Sequence, residues 1–316
     1  MKKKIKVALY WCSSCGGCEE SVIDLAEDLI KVTENIEIVF WPIAIDVKYE
    51  DLASFKDREI DAALINGAIR VKEQEEISKL LRKKSKIVIA QGSCAHTGGV
   101  VGLANFYAKD KIVEKAYKKA DALNNPDGDV PEASKKDLFG TLKTLDQTIK
   151  VDYYIPGCPP TPKLIKEALL AVINGTLPAK GSVLAGKKAL CDTCRLNDTK
   201  PEKIKIDKFK RLHETEWDAD RCFLDQGIIC MGPATRGGCE ARCIEGNFPC
   251  RGCFGPVDGV NDHGAKGISM LASMIDTEDE DKIKSIIGSI PDKSGLLYRY
   301  GLASSIFRKK HGKDKK

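Results

Sequence analysis

The chain has 316 residues, 42% of them hydrophobic, which is enough for a real core and, at roughly 150 residues per domain, for two domains. Its 51 Lys and Arg against 46 Asp and Glu leave a net charge of +5, too small an excess to mark a nucleic-acid-binding surface. No stretch approaches the ~18 apolar residues needed to cross a bilayer, so no membrane span is expected.

Taken in chain order, the first part alternates strand and helix signals. Ile5–Trp11 is a short apolar run suited to a buried parallel strand. Residues 21–32 have helical periodicity, in Val22, Leu25, Ala26, Leu29 and Ile30. Further strands are expected over Ile36–Ile45, Ile60–Ile65, Ile87–Ala90 and Val151–Ile155, with a helix over Val71–Arg82. Thr161 is a plausible N-cap with Pro162 at the first helical position, opening a helix to about Ile173. Strands separated by helices predict an α/β fold, a doubly wound parallel sheet over residues 1–175. Residues 124–137, rich in Asn, Asp, Pro, Gly and Lys, read as a surface loop. Over residues 176–316 the alternation disappears and eight of the thirteen cysteines fall between Cys191 and Cys253. That predicts a second, loop-rich domain with short helices near Gly267–Ile275 and Lys282–Ile287.

The chain opens with Lys2, Lys3 and Lys4 and turns apolar over Val7–Trp11. That run is too short for a signal-peptide core, no cleavage site follows, and no twin-arginine motif appears. The expected location is cytoplasmic. The basic residues at both ends, through Lys316, read as solvated tails. In a cytosol structural disulfides are rare, so thirteen cysteines point to metal or redox chemistry.

The cysteines divide. Cys12, Cys15 and Cys18 follow the first strand, Cys94 follows the fourth, and Cys158 follows the fifth. In a doubly wound sheet the loops at the carboxyl ends of the strands line one crevice, so three separate loops bring thiols to one place. Four thiolates are what a 4Fe–4S cluster requires, and Cys15, Cys18, Cys94 and Cys158 are the candidates. Cys12 is read as the spare, a small buried hydrophobe, the alternative being that it replaces Cys15 or Cys18. The other eight split into Cys191, Cys194, Cys222 and Cys230, and Cys239, Cys243, Cys250 and Cys253. Three Cys-x-x-Cys pairs leave structural zinc as the competing reading for the second domain. His96 reads as a loop residue beside Cys94, His213 is not needed for ligation, and His263 and His311 carry no signal. Gly98-Gly99 is too short to be a phosphate loop, and no dinucleotide-binding, nucleotide-binding or serine-hydrolase motif is present.

Cys15-Gly16-Gly17-Cys18-Glu19-Glu20-Ser21, Gly92-Ser93-Cys94-Ala95 and Pro156-Gly157-Cys158-Pro159-Pro160, with the series Cys222, Cys230, Cys239, Cys250, Cys253, resemble the small subunit of nickel–iron hydrogenases. The resemblance spans about residues 5 to 260. It implies a flavodoxin-like domain with a proximal cluster on Cys15, Cys18, Cys94 and Cys158. It also implies an iron–sulfur domain with a medial cluster on Cys239, Cys243, Cys250 and Cys253 and a distal one on Cys191, Cys194, Cys222 and Cys230. Cys191 stands where the family places a distal histidine, and Cys243 offers a thiolate where it places a proline, which implies three 4Fe–4S clusters. Asn66 stands where the family has an acidic residue. No catalytic residue and no nickel site are expected here, the nickel–iron centre belonging to a large-subunit partner. All-cysteine ligation and the missing export signal resemble the cytosolic methanogen-type enzymes. Among them the F(420)-non-reducing (viologen-reducing) hydrogenase is favoured, whose electrons pass to heterodisulfide reductase through a small iron–sulfur adaptor subunit. The small subunit of the deazaflavin-reducing hydrogenase, a free-standing polyferredoxin-like carrier and a zinc-stabilised binding module are the alternatives.

Overall fold

The structure is a computed structural model that describes residues 4–124, 128–132 and 136–308. Lys2, Lys3, His311 and the basic residues from Lys309 on lie outside the described residues, as does part of the polar stretch 124–137. The chain divides into two units, residues 1–184 with 302–316, and residues 185–301.

The first unit is built on five strands: β1 (Ile5–Trp11), β2 (Ile36–Phe40), β3 (Ile60–Asn66), then, after a short β4 (Ile69–Val71), β5 (Ser85–Gln91), and, after β6 (Leu138–Lys143), β7 (Tyr153–Ile155). The main sheet runs β2-β1-β3-β5-β7, and every pairing in it is parallel. That is the doubly wound order expected of a flavodoxin-like sheet. β4 and β6 form a separate antiparallel pair.

Helices are α1 (Gly17–Ile23), α2 (Glu27–Thr33), α3 (Tyr49–Ser54), α4 (Lys72–Lys84), α5 (Gly92–His96), α6 (Lys109–Glu114) and α7 (Pro162–Asn174). Ala8, Tyr10, Phe40, Leu52, Leu81 and Val88 share one core cluster, which places α3 and α4 against one face of the sheet. Strand alternation turns Val7, Leu9 and Leu64 the other way, and these are buried too. The predicted cap is present: Thr161 Oγ1 accepts the Leu164 N–H at 3.3 Å, with Pro162 opening α7.

Three expectations are corrected. The helix over residues 21–32 is two helices, because Ala26 takes a φ of 50° between α1 and α2. The strand expected over Ile36–Ile45 ends at Phe40; Pro42 has no N–H for a ladder, and Trp41 O instead accepts the N–H groups of Ala44 and Ile45 in a turn. The division of the chain falls at 184/185 rather than 175/176, because residues 182–184 extend the sheet edge. Tyr154 N–H donates to Ser182 O, and Leu184 N–H donates to Tyr154 O. Residues 302–308 also return to the first unit, where Gln147 Nε2 donates to Ala303 O and Asn105 Nδ2 to Arg308 O, each at 2.8 Å.

The second unit has short helices only, among them Arg242–Glu245, His263–Ala272, Glu280–Gly288 and Lys293–Leu297, where two near the expected places were predicted. Isolated bridges join Ala189 to Arg236, Thr235 to Pro256 and Lys210 to Ile228. The buried Arg236 guanidinium donates to Gly186 O at 2.8 Å and pairs with Asp258. Among the described residues no helix is long and apolar enough to cross a membrane.

One buried carboxylate ties the far edge of the main sheet. Asp152, 2% exposed, accepts from Arg82 at 2.5 Å, Lys180 at 2.8 Å and the Val88 N–H at 2.9 Å. Burial pushes its carboxyl upward, and the Lys180 and Arg82 contacts with the Val88 N–H outweigh that and hold it below its ordinary value. A carboxylate so lowered stabilises the fold above about pH 3.9, and the stabilisation is lost as pH falls through the folded value. Asp152→Asn is expected to cost about 3 kcal/mol at pH 7 in urea unfolding, and the gap from the parent protein should close below about pH 4.

Candidate metal centres

Pairing register sets the first centre. Trp11 aligns with Asn66, Asn66 with Gln91, and Gln91 with Ile155, so four strands end in one row. The residues that follow carry Cys15 and Cys18, then Gly67, then Cys94, then Cys158. Hydrogen bonds bind the three cysteine-bearing loops pairwise. Gln91 Nε2 donates to Cys18 O at 2.7 Å, Ser93 N–H to Gly157 O at 2.7 Å, and Ser21 Oγ to Pro160 O at 2.8 Å.

Two glycines permit the close approach of these loops. A Cβ on Gly92 (φ +82°) would stand 2.3 Å from Cys18 Sγ and 3.4 Å from Gly157 O. A Cβ on Gly99 (φ +60°) would stand 2.4 Å from Cys94 Sγ. The Gly98-Gly99 pair therefore serves packing around Cys94. Cys18 and Cys94 are buried, Cys158 is half-buried and Cys15 is exposed.

Burial pushes the Cys18 thiol well up, and the neighbouring Cys94, Cys158 and Cys15 add to it. Cys94 is pushed up to about 12 by burial, with Cys158 and Cys15 next. Cys158 is raised as well, first by burial, and thiols so disfavoured from ionising need a cation to hold them as thiolates. Yet among the described residues no three His, Cys, Asp or Glu side chains converge closely enough to hold one ion.

Cys12 lies elsewhere. It is buried in the core cluster with Sγ 3.7 Å from Ser78 Oγ on α4, and burial raises it to about 12. Asn66, where the resemblance places an acid, donates to a different acid. Its Nδ2 reaches Glu19 Oε1 at 2.6 Å, and Trp41 Nε1 donates to Glu19 Oε2. Glu19 is 2% exposed; burial raises its carboxyl while the Asn66 and Trp41 hydrogen bonds hold it down. Sequence reasoning missed this trio, since its members are far apart in the chain and only Asn66 drew notice. His96 stacks on Tyr154, with ring centroids 4.6 Å apart.

In the second unit Cys191, Cys194, Cys222 and Cys230 line one cavity of about 320 Å³. A Cβ on Gly232 would stand 3.2 Å from Cys191 Sγ and 3.5 Å from Cys230 Sγ. Burial, then the charge of Cys230, pushes Cys191 up to about 12, and Cys230 rises to about 11 chiefly by burial. The other four come as two pairs. Cys243, exposed, is raised by burial and then by Cys239. Cys250, buried, is raised by burial, then by Cys230, with Cys253 a lesser neighbour. The Cys250 N–H also points at Cys230 Sγ at 3.3 Å, so the two sets of four touch at this point.

His263, without signal in the sequence, is buried beside the Cys250–Cys253 loop. Its Nε2 lies 3.2 Å from Thr235 Oγ1, a Cβ on Gly252 would stand 2.8 Å from its ring, and burial lowers it to about 4. His213 is exposed, 3.9 Å from Glu214, and lines no part of the cysteine cavity.

A family model described as NADH ubiquinone oxidoreductase, 20 Kd subunit, matches residues 15–172. The iron-sulfur subunit of the F420-non-reducing hydrogenase of Archaeoglobus profundus is 39% identical over 318 residues, covering 97% of this chain and 98% of that one. A vhu subunit of the F420-non-reducing hydrogenase of Methanocaldococcus jannaschii is 39% identical over 306 residues, with the same coverage. Among solved structures, the H2-activated [NiFeSe]-hydrogenase of Dm. baculatum has a chain that matches with a TM-score of 0.51 at 20% identity, over 81% of this chain and 96% of that one, a likeness of fold. Sheet, cysteine loops and relatives together define the small subunit of a nickel–iron hydrogenase complex. Within that class the chain belongs to the family of F420-non-reducing hydrogenase iron-sulfur subunits.

Gly92→Ala is expected to lower the iron bound per chain, because its methyl group must displace Cys18. Gly175→Ala, at a similar φ of +66° but with nothing within 4 Å, should leave iron unchanged. Iron and sulfide analysis of the two purified variants separates loss of the site from simple backbone strain.

Proposed function

We propose that the chain is the electron-transfer small subunit of a cytosolic nickel–iron hydrogenase. In this reading it relays electrons from dihydrogen oxidation in a large subunit to a small iron–sulfur adaptor and on to heterodisulfide reductase. The observation that carries the reading is the meeting of Cys15, Cys18, Cys94 and Cys158 in three interlocked loops, in a chain of hydrogenase-subunit ancestry. Three 4Fe–4S clusters would supply reversible one-electron chemistry when bound: proximal on those four, medial on Cys239, Cys243, Cys250 and Cys253, distal on Cys191, Cys194, Cys222 and Cys230.

The chain's own residues hold and tune. Pairwise hydrogen bonds keep the three loops at fixed separation, and the Cys250 N–H directed at Cys230 Sγ favours the anionic sulfur. Arg251 places a positive charge near Cys243 and lowers its thiol's tendency to hold the proton. Beside the exposed Cys15 stands Trp11, 39% exposed, with its ring 3.5 Å from where a Cβ on Gly16 would lie. Ile43 and Ile45, also exposed, follow the neighbouring strand end. An apolar rim next to a solvent-facing thiol suits burial under the large subunit, which would exclude water from the proximal site.

Two experiments test the proposal. Purified with its hydrogenase large subunit, the complex should reduce a viologen dye with hydrogen and contain about twelve irons, with matching sulfide, per small subunit. Zinc without sulfide, or a stable cluster-loaded monomer with no partner, would reject it. Trp11→Ala should weaken association with the large subunit by about thirtyfold, read by co-purification and analytical ultracentrifugation, without loss of cluster absorbance.

A further inference from the structure

The second unit holds another cavity, of about 420 Å³, that shares no residue with the cysteine-lined one. No candidate cluster ligand lines it. Its apolar side includes Ile229 and Phe248. Its polar side carries five basic residues and one carboxylate, Asp292. That carboxylate is already engaged, since Asp292 Oδ1 accepts the Gly295 N–H at 2.8 Å and caps the helix Lys293–Leu297. Of the bases, Arg211 is turned onto Glu214, with Nε 2.9 Å from Oε1, and His213 Nε2 lies 3.9 Å from the same carboxylate.

Lys210, Arg251 and Arg299 remain, and none of them makes an ion pair among the described residues. Arg251 is half-buried with its guanidinium 5.0 Å from the centre of the Phe248 ring. Arg299 lines the same cavity. Like charges turned into one concave space where cations outnumber the single carboxylate are costly, and an entering anion relieves that cost. The volume lies in the range of small-ligand sites, about 300–1,000 Å³, whereas an acidic protein surface would meet a flat or convex patch. Two guanidinium forks and an ammonium match a compact group with several charged oxygens, which is the chemistry of phosphate rather than of one carboxylate.

We propose that this cavity binds a phosphorylated small molecule, its phosphate held by Arg251, Arg299 and Lys210 and its less polar part resting on Phe248 and Ile229. Arg251 sits inside the Cys250–Cys253 loop, so an occupied cavity brings negative charge to the edge of the second unit's cysteine sites. The proposal does not depend on which electron acceptor the chain serves.

Isothermal titration calorimetry on the intact, cluster-loaded complex tests it, with ADP and inorganic phosphate as probes at two ionic strengths. The expected result is saturable binding of ADP, weakened at least about tenfold by Arg299→Ala, with iron content unchanged. Lys210→Ala, at an exposed position outside the fold's core, provides the second variant and should also weaken binding. Absence of saturable binding of either probe would overturn the proposal, as would binding that neither substitution changes. A poly-glutamate peptide that binds more tightly than ADP would overturn it in favour of a protein-docking surface.

Discussion

Three short hydrogen bonds between neighbouring loops carry the architecture of the first unit: Gln91 to Cys18 O, Ser93 to Gly157 O, and Ser21 to Pro160 O. Each joins a different pair of the three loops that hold cysteines, so the loops form a closed triangle. The triangle is possible only because the strands beneath it end in one row, from Trp11 through Asn66 and Gln91 to Ile155. Parallel pairing in this order is what brings residues about 140 positions apart to one crevice. The sheet supplies placement, the loop bonds supply spacing, and the thiols inherit both.

The second unit reaches a similar end with less regular structure. Its bridges are isolated, its helices short, and a single buried guanidinium, Arg236, links strand-like segments through Gly186 and Asp258. Four thiols around one cavity are then a large share of what its interior has to organise. Where a metal group binds such a set, its binding free energy is also folding free energy. The two units thus differ in kind: one gathers its thiols on the loops of a regular sheet, and the other gathers them among isolated bridges and short helices.

What could be read from the amino acids follows from how local each signal is. Ile5–Trp11 and Ile60–Ile65 are nearly continuous apolar runs, and both form central strands of the parallel sheet. Thr161-Pro162 contains its own start signal, and α7 begins there. The break at Ala26 could not be seen, because alanine is the residue least expected to leave helical φ, ψ. The β4–β6 pair joins a three-residue strand to a partner almost seventy positions on, too short for periodicity to register. The grouping of Cys15, Cys18, Cys94 and Cys158 was legible because each follows a recognisable strand. The Glu19–Asn66–Trp41 trio was not, since no spacing rule links buried partners 22 and 47 residues apart. In the second unit the Cys-x-x-Cys pairs were plain, while the contact of Cys250 with Cys230 depends on a turn that no pattern announces.

The return of residues 302–308 to the first unit has a temporal meaning. Ala303 and Arg308 supply acceptors for Gln147 and Asn105, and Ala303 joins the small core of Ala68 and Leu142. Those groups are translated before the second unit begins, and they wait for partners translated after it ends. During synthesis the first unit therefore emerges with its sheet whole and one flank open, and the 117 residues of the second unit must be made before that flank can close. Ribosomal order thus sets an assembly order: the crevice around Cys94, whose Gly98 neighbour packs against Ala303, reaches its final packing only after all twelve candidate ligands have left the exit tunnel.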